Sequence, residues 1–243
     1  QKSSNGNETH ILLTKYNYDN GGRLQNMVKN IDGLGDKTIS ALTYNELGQV
    51  QNKTLGNNLS VQNYSYNIRG WLNGINKAFV ESNGGTNPYF GEVLNYDFGF
   101  GTKQYNGNIT GAKWKAAGDG IARAFGYSYD NNNRLTKADF TQQNEGTTAW
   151  TKDKIDFSVS GIGYDANGNI SAMKQRGMKL NNSVTIDSLE YTYLSNSNQV
   201  SKIKDFISDT DPWGDFKDTS LTSNDYVYDV NGNIVKDNNK HIH

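Results

Sequence analysis

Apolar and polar residues alternate in short runs along this chain, and most runs end in a cluster of Asn, Asp and Gly. A period of two marks a half-buried strand, and a polar turn cluster between two such runs marks a hairpin. One nine-residue unit carries this pattern repeatedly: an aromatic or aliphatic residue, any residue, Tyr, Asp or Asn, two variable residues, Gly or Asn, a variable residue, and an aliphatic. It reads YNYDNGGRL over 16–24, LTYNELGQV over 42–50, YSYNIRGWL over 64–72, YSYDNNNRL over 127–135, IGYDANGNI over 162–170 and YVYDVNGNI over 226–234. Two copies are irregular: LNYDFGFGTKQYNGNI (94–109) has an insertion, and YTYLSNSNQV (191–200) is one residue longer.

The second aromatic of each copy serves as its anchor: Tyr18, Tyr44, Tyr66, Tyr96, Tyr129, Tyr164, Tyr193 and Tyr228. Successive anchors lie 26, 22, 30, 33, 35, 29 and 35 residues apart, and of the 15 tyrosines only Tyr89 falls outside a copy. Core residues scattered by chance would not cluster this way, so the chain is a repeat protein. Positions −2 and 0 share one face of a strand. Gly21-Gly22, Asn132-Asn133, Asn167-Gly168 and Asn231-Gly232 fit the two central residues of type I′ turns, both of which need positive φ. Gly48 and Gly70 hold the same turn position in two further copies. The aliphatic at +6 (Leu24, Val50, Leu72, Leu135, Ile170, Ile234) opens the returning strand and packs against the anchor across the turn.

Eight hairpins give roughly 16 strands, more than a flat open sheet holds without curling. The predicted fold is therefore all-β: repetitive antiparallel hairpins forming a curved or spiralling sheet strip. Interruptions at 80–91, 112–122, 141–155, 173–185 and 208–224 are rich in Gly, Asn, Thr and charge, and are expected to be loops at the edges of the strip. No segment carries helical periodicity over 12 residues, and no linker divides residues 1–243.

Composition supports this reading. Leu, Ile, Val and Phe total 50 of 243 residues, near the roughly 20% level at which disorder enters consideration. The net charge of −1 argues against disorder, and 15 Tyr with 4 Trp make up the apolar deficit. With 26 Gly, 34 Asn and 2 Pro, the chain favours short strands and tight turns. Balanced charge gives no footprint for nucleic acid or an anionic membrane. No apolar run is long enough to span a bilayer as a helix, and the start at Gln1 does not resemble a signal peptide. Without cysteine there is no disulfide, thiolate metal site or Cys nucleophile.

The Tyr-Asp…Gly-Arg-Leu pattern, best seen in YDNGGRL (18–24) and YDNNNRL (129–135), resembles the YD repeat of RHS proteins, which Tc toxin C components and teneurins share. The resemblance runs from about Tyr16 to Ile234. It implies a β-sheet that spirals into a hollow shell around a C-terminal toxin or effector, in an exported bacterial protein of the polymorphic-toxin type. In such proteins the effector is often freed by self-cleavage at a core region after the repeats. That core motif is not recognisable here: Asp211-Pro212-Trp213-Gly214 is a superficial echo lying between two repeats. The expectation is a non-catalytic shell segment of a longer chain, secreted or at the cell surface. Its partners would be the rest of that chain, the enclosed effector, and secretion-machinery or surface proteins.

The alternative is a surface adhesion or glycan- or protein-recognition module, with Trp114, Trp150 and Trp213 as contact candidates because they lie in or beside the interruptions. Asp165-Ala-Asn167-Gly-Asn169 and Asp229-Val-Asn231-Gly-Asn233 spell D-x-N-x-N. An EF-hand, however, needs Gly sixth and Glu twelfth, and position twelve holds Arg176 or Lys240. Asp there is better read as a turn acceptor. Three histidines, His10, His241 and His243, do not make a triad or a zinc site. A hydrolase on a β scaffold would need converging carboxylates that the sequence does not pair. No catalytic residue, cofactor or metal is therefore assigned. The residues expected to carry the repeat are Tyr18, Gly22, Leu24, Tyr44, Gly48, Tyr66, Gly70, Tyr96, Tyr129, Leu135, Tyr164, Gly168, Ile170, Tyr193, Tyr228, Gly232 and Ile234.

Overall fold

A computed structural model describes residues 2–5, 8–82, 88–207, 214–220 and 222–242, with side chains from residue 9 onward. They fall into two compact units. The first comprises 1–94 and 113–122. Its strands β1 (Lys2–Asn5), β2 (Glu8–Tyr18), β3 (Leu24–Ile31), β4 (Lys37–Tyr44), β5 (Val50–Leu55), β6 (Ser60–Tyr66) and β7 (Leu72–Ile75) pair in chain order, each antiparallel to the next. A six-residue helix α1 (Lys77–Ser82) precedes β8 (Phe90–Asn95), which pairs with β7. Lys115, on β9 (Gly111–Ala116), lies 5.0 Å from the ring centre of Phe79 in α1.

The second unit comprises 95–112 and 123–243. It holds β10 (Ala122–Tyr129), β11 (Leu135–Gln143), the short β12 (Trp150–Thr151), β13 (Val159–Tyr164), β14 (Ile170–Lys179), β15 (Asn182–Tyr193) and β16 (Val200–Asp205). All pairings are again antiparallel, in the order β10-β11-β13-β14-β15-β16, with β12 added beside β11. The hairpin β17 (Tyr226–Tyr228) and β18 (Ile234–Asp237) forms a small separate sheet. Phe140, 1% exposed, centres the core of this unit, with Phe125 and Phe157 set edge-on to it at 5.4 and 5.3 Å. In the inserted copy Phe100 lies on bare backbone: a Cβ on Gly111 would come within 2.4 Å of its ring. Glycine is required there for close approach.

The all-β, antiparallel, hairpin-by-hairpin expectation holds. Two details are corrected. Four of the interruptions read as loops contain regular structure, and residues 80–91 hold the end of α1 and the start of β8. Residues 112–122 carry most of β9, residues 141–155 hold the end of β11 and all of β12, and residues 173–185 are largely β14 and β15. Their polar side chains fit because they pair across strands, as Lys174 does with Ser188 and Gln175 with Asp187.

The turns are also not type I′. In six copies the fourth turn residue donates its N–H to the carbonyl of the Asp or Asn after the anchor, at 2.9–3.1 Å. Only that fourth residue has positive φ: 76° at Gly22, 78° at Gly48, 77° at Gly70, 62° at Asn133, 87° at Gly168 and 85° at Gly232. Gly21, Asn132, Asn167 and Asn231 do not. This is a type I turn followed by a left-handed residue that makes a G1 bulge, and the strand register slips at the anchor in each hairpin. The longer copy differs, with Asn196 at 55°.

Candidate functional site: the seam between repeats

Among the described residues only ten apolar side chains are buried, so cohesion must come largely from contacts between successive copies. The Asp or Asn after each anchor organises its own turn. One carboxylate oxygen of Asp19 accepts the N–H groups of Gly21 and Arg23, both at 2.9 Å. Asp130, Asp165 and Asp229 do the same for residues +2 and +4. Asn45 and Asn67 achieve it with their amide oxygen. The other carboxylate oxygen takes the side chain at +4: Arg23 Nε and Arg134 Nε at 2.7 Å, Asn169 Nδ2 at 2.9 Å and Asn233 Nδ2 at 2.8 Å. These donors hold all four carboxyls below the usual aspartate value. The Arg23 and Arg134 backbone amides contribute most to the first two, and the Asn169 and Asn233 side chains most to the others.

The anchor's hydroxyl then reaches back to the preceding copy. Tyr44 donates to the carbonyl of Leu24 at 2.8 Å and Tyr66 to that of Val50 at 2.9 Å. Tyr129 donates to Ile109 at 2.7 Å, Tyr164 to Leu135 at 2.7 Å, Tyr193 to Ile170 at 2.7 Å and Tyr228 to Val200 at 2.9 Å. In every case the acceptor is the aliphatic that closes the previous nine-residue unit. The strand ladders explain why this bond is needed. The ladder between β5 and β6 ends at Asn52↔Asn63, that between β3 and β4 at Asn26↔Ala41, and that between β14 and β15 at Ala172↔Glu190. Each stops two residues short of the closing aliphatic, whose carbonyl is therefore beyond the strand-to-strand bonding. A tyrosine is long enough to bridge that gap with an apolar ring and end it with a donor.

A second contact runs between turns. The Arg23 guanidinium sits 4.7 Å from the ring centre of Tyr44, and that of Arg134 sits 4.5 Å from Tyr164. Gln49 Nε2 donates to the carbonyl of Gly70, Arg134 to that of Asp165, and Asn169 Nδ2 to Asn198 Oδ1. The sequence shows this role of residue +5 only faintly, as a polar side chain (Arg, Gln or Asn) in five of the six regular copies. Tyr18 and Ile234, the seam groups of the first and last copies, are 60% and 56% exposed. Tyr96 is buried. Burial raises the phenols of Tyr66, Tyr129, Tyr193 and Tyr228 above their ordinary value of 10.0, so they stay protonated donors at neutral pH.

Trp114 is half-buried in β9, Trp150 opens β12 and is 36% exposed, and Trp213 lies outside the described residues. Asp165 and Asp229 are occupied as turn acceptors. No helix among the described residues is long and apolar enough to cross a membrane.

No family model and no curated protein matches the sequence. Solved structures do. The structure of TcdB2-TccC3 without its hypervariable C-terminal region aligns over 92% of this chain at a TM-score of 0.57 and 18% identity. TcdB2-TccC3-Cdc42 aligns over 92% at a TM-score of 0.55 and 19% identity. The fold is RHS-like. This chain corresponds to 11% of the length of either neighbour. The seam is the joint by which one hairpin is fastened to the next.

Proposed function

We propose that this chain is a non-catalytic length of wall from an RHS-type β-shell, part of an exported protein that encloses or presents a C-terminal effector. The observation that carries this reading is the six-fold tyrosine-to-carbonyl stitch. A bond between copy and copy, made by the residue that defines the repeat, is a device for extending a sheet rather than for building a cleft. The exposure of Tyr18 and Ile234 fits further copies on either side, and the likeness to the TcdB2-TccC3 chains supplies a fold in which such a strip has a place. The YD-repeat segment, on this reading, is all of residues 1–243 within a longer chain.

The test is intact mass and C-terminal peptide mapping on the protein from its native source, followed by protease treatment of the folded particle. A shell wall predicts a polypeptide that continues beyond His243, with a C-terminal piece that co-purifies and resists protease until the repeats are unfolded. A native polypeptide with no such piece would overturn the reading in favour of a surface-recognition role.

A further inference from the structure

Three carboxylates converge in the second unit. Asp187 projects from β15 and is 3% exposed; Asp205 ends β16; Asp215 lies in the segment that follows, its side chain 2% exposed. Each places an oxygen within 4.8 Å of the other two. Backbone amides account for part of their bonding: Phe216 donates to Asp187 Oδ1 at 2.7 Å, and Ser188 and Ile207 donate to Asp205 Oδ1 at 2.8 and 3.0 Å. Lys217 pairs with Asp215 through Oδ2. Two of their oxygens, Asp205 Oδ2 and Asp215 Oδ1, are shielded from solvent and have no hydrogen-bond partner among the described residues.

Buried carboxylate oxygens of this kind are normally paired, hydrogen-bonded or bound to a cation. Among the described residues one ammonium, that of Lys217, pairs with the cluster, at Asp215. Burial, reinforced by the neighbouring Asp205 and Asp215, pushes the Asp187 carboxyl above its usual range. The orphaned oxygen of Asp215 is a second observation beside the clustering itself: it belongs to an almost fully enclosed side chain, and no donor among the described residues meets it. An all-oxygen, anionic donor set selects a hard cation, and flexible oxygen coordination at about 2.3–2.6 Å suits calcium.

We infer that Asp187, Asp205 and Asp215 form a calcium site that fastens the Gly214–Ser220 segment to β15 and β16. The ion would lock the connection between the seventh copy and the eighth, whose hairpin β17–β18 is otherwise a sheet of its own. Calcium titration of the whole chain, by calorimetry and by thermal unfolding, tests this. Saturating calcium should give a binding isotherm and raise the melting temperature by roughly 5 °C or more. The Asp187→Asn/Asp205→Asn protein should lose both responses. In calcium-free buffer it should melt at or above wild type, because mutual repulsion has been removed, which also shows that it folds. Asp165→Asn, in a repeat turn, should keep the full response. No calcium effect beyond that of equal ionic strength of sodium or magnesium chloride overturns the inference, as does an unchanged response in the double variant.

Discussion

Replacing Tyr193 by Phe isolates the stitch, because it removes one oxygen and leaves the ring. The hydroxyl donates to the carbonyl of Ile170 at 2.7 Å, beyond the last ladder pair of β14 and β15. A hydrogen bond of this type contributes about 1 kcal/mol net, within roughly 0.5–1.5. The side chain is half-buried, so water can partly replace the lost donor, and the lower half of that range is expected. The corresponding fall in melting temperature is about 1–4 °C for a domain of this size. Tyr18→Phe is the internal control: Tyr18 is 60% exposed, and the same change there should stay within about 0.5 kcal/mol of zero. Urea unfolding reads both, and amide exchange across β14 and β15 shows whether the loss is local. Changing Tyr44, Tyr66, Tyr129, Tyr164, Tyr193 and Tyr228, all half-buried, together should cost roughly 3–6 kcal/mol if the sites are independent. That approaches the whole stability of a typical domain, about 5–15 kcal/mol. If Tyr193→Phe matches Tyr18→Phe and the six-fold variant still unfolds like wild type, the hydroxyls do not hold the copies together.

Gly168→Val should destabilise by about 1–3 kcal/mol in urea unfolding, since φ is 87° there and open space around the residue leaves backbone strain as the cause. Gly168→Asn should cost much less, because Asn133 holds the equivalent position at 62°. At high pH, Tyr226 sets a limit: burial foremost, with Asp237 and Asp225 adding, pushes its pKa up to about 12. A raised phenol pKa contributes stability that is complete below the ordinary value of 10 and is lost between about pH 10 and 12. Phenolate absorbance and circular dichroism should therefore change together in that window. The lowered carboxyls of Asp19, Asp130, Asp165 and Asp229 work in the opposite direction. Their contribution is present above the ordinary value of 3.8 and disappears as pH falls through the lower folded values, so an acid titration should show the repeats loosening only below about pH 4.

Much of the fold is legible because one copy is a local object. The alternation that makes a strand, the Asp that accepts amides two and four residues on, and the need for Gly or Asn at one left-handed position all lie within nine residues. The turn type is harder to read from the same letters, since type I′ turns and type I turns with a G1 bulge both favour Asn and Gly. What separates them is the Asp or Asn side chain, whose two amide partners at +2 and +4 go with the type I arrangement seen here. The segment Gly111–Ala116 was obscured for another reason. Its Gly and Ala are small to admit neighbours such as the ring of Phe100, so the strand lacks the bulky β-branched residues by which strands are usually recognised.

The seam was half visible. Tyrosine at every anchor stands out, but its partner is a backbone carbonyl 16 to 29 residues earlier, and a carbonyl has no signature in a sequence. The choice of Tyr over Phe is nevertheless a clue. A ring needed only for packing would be served equally well by Phe, of which the chain has 9 against 15 Tyr, and no regular anchor is Phe. Anchors that all retain a hydroxyl point to an acceptor at a fixed place in the neighbouring copy, and six of the eight use one. The only groups repeated as faithfully as the tyrosines are the main-chain atoms of the repeat itself. The same reasoning explains Arg at +5 in the two copies closest to the full pattern. It closes its own turn through Asp19 or Asp130 and covers the next copy's tyrosine with the same guanidinium. Selection for the turn and selection for the seam therefore act on one side chain, and the nine-residue unit reads as a hairpin because it is also a joint.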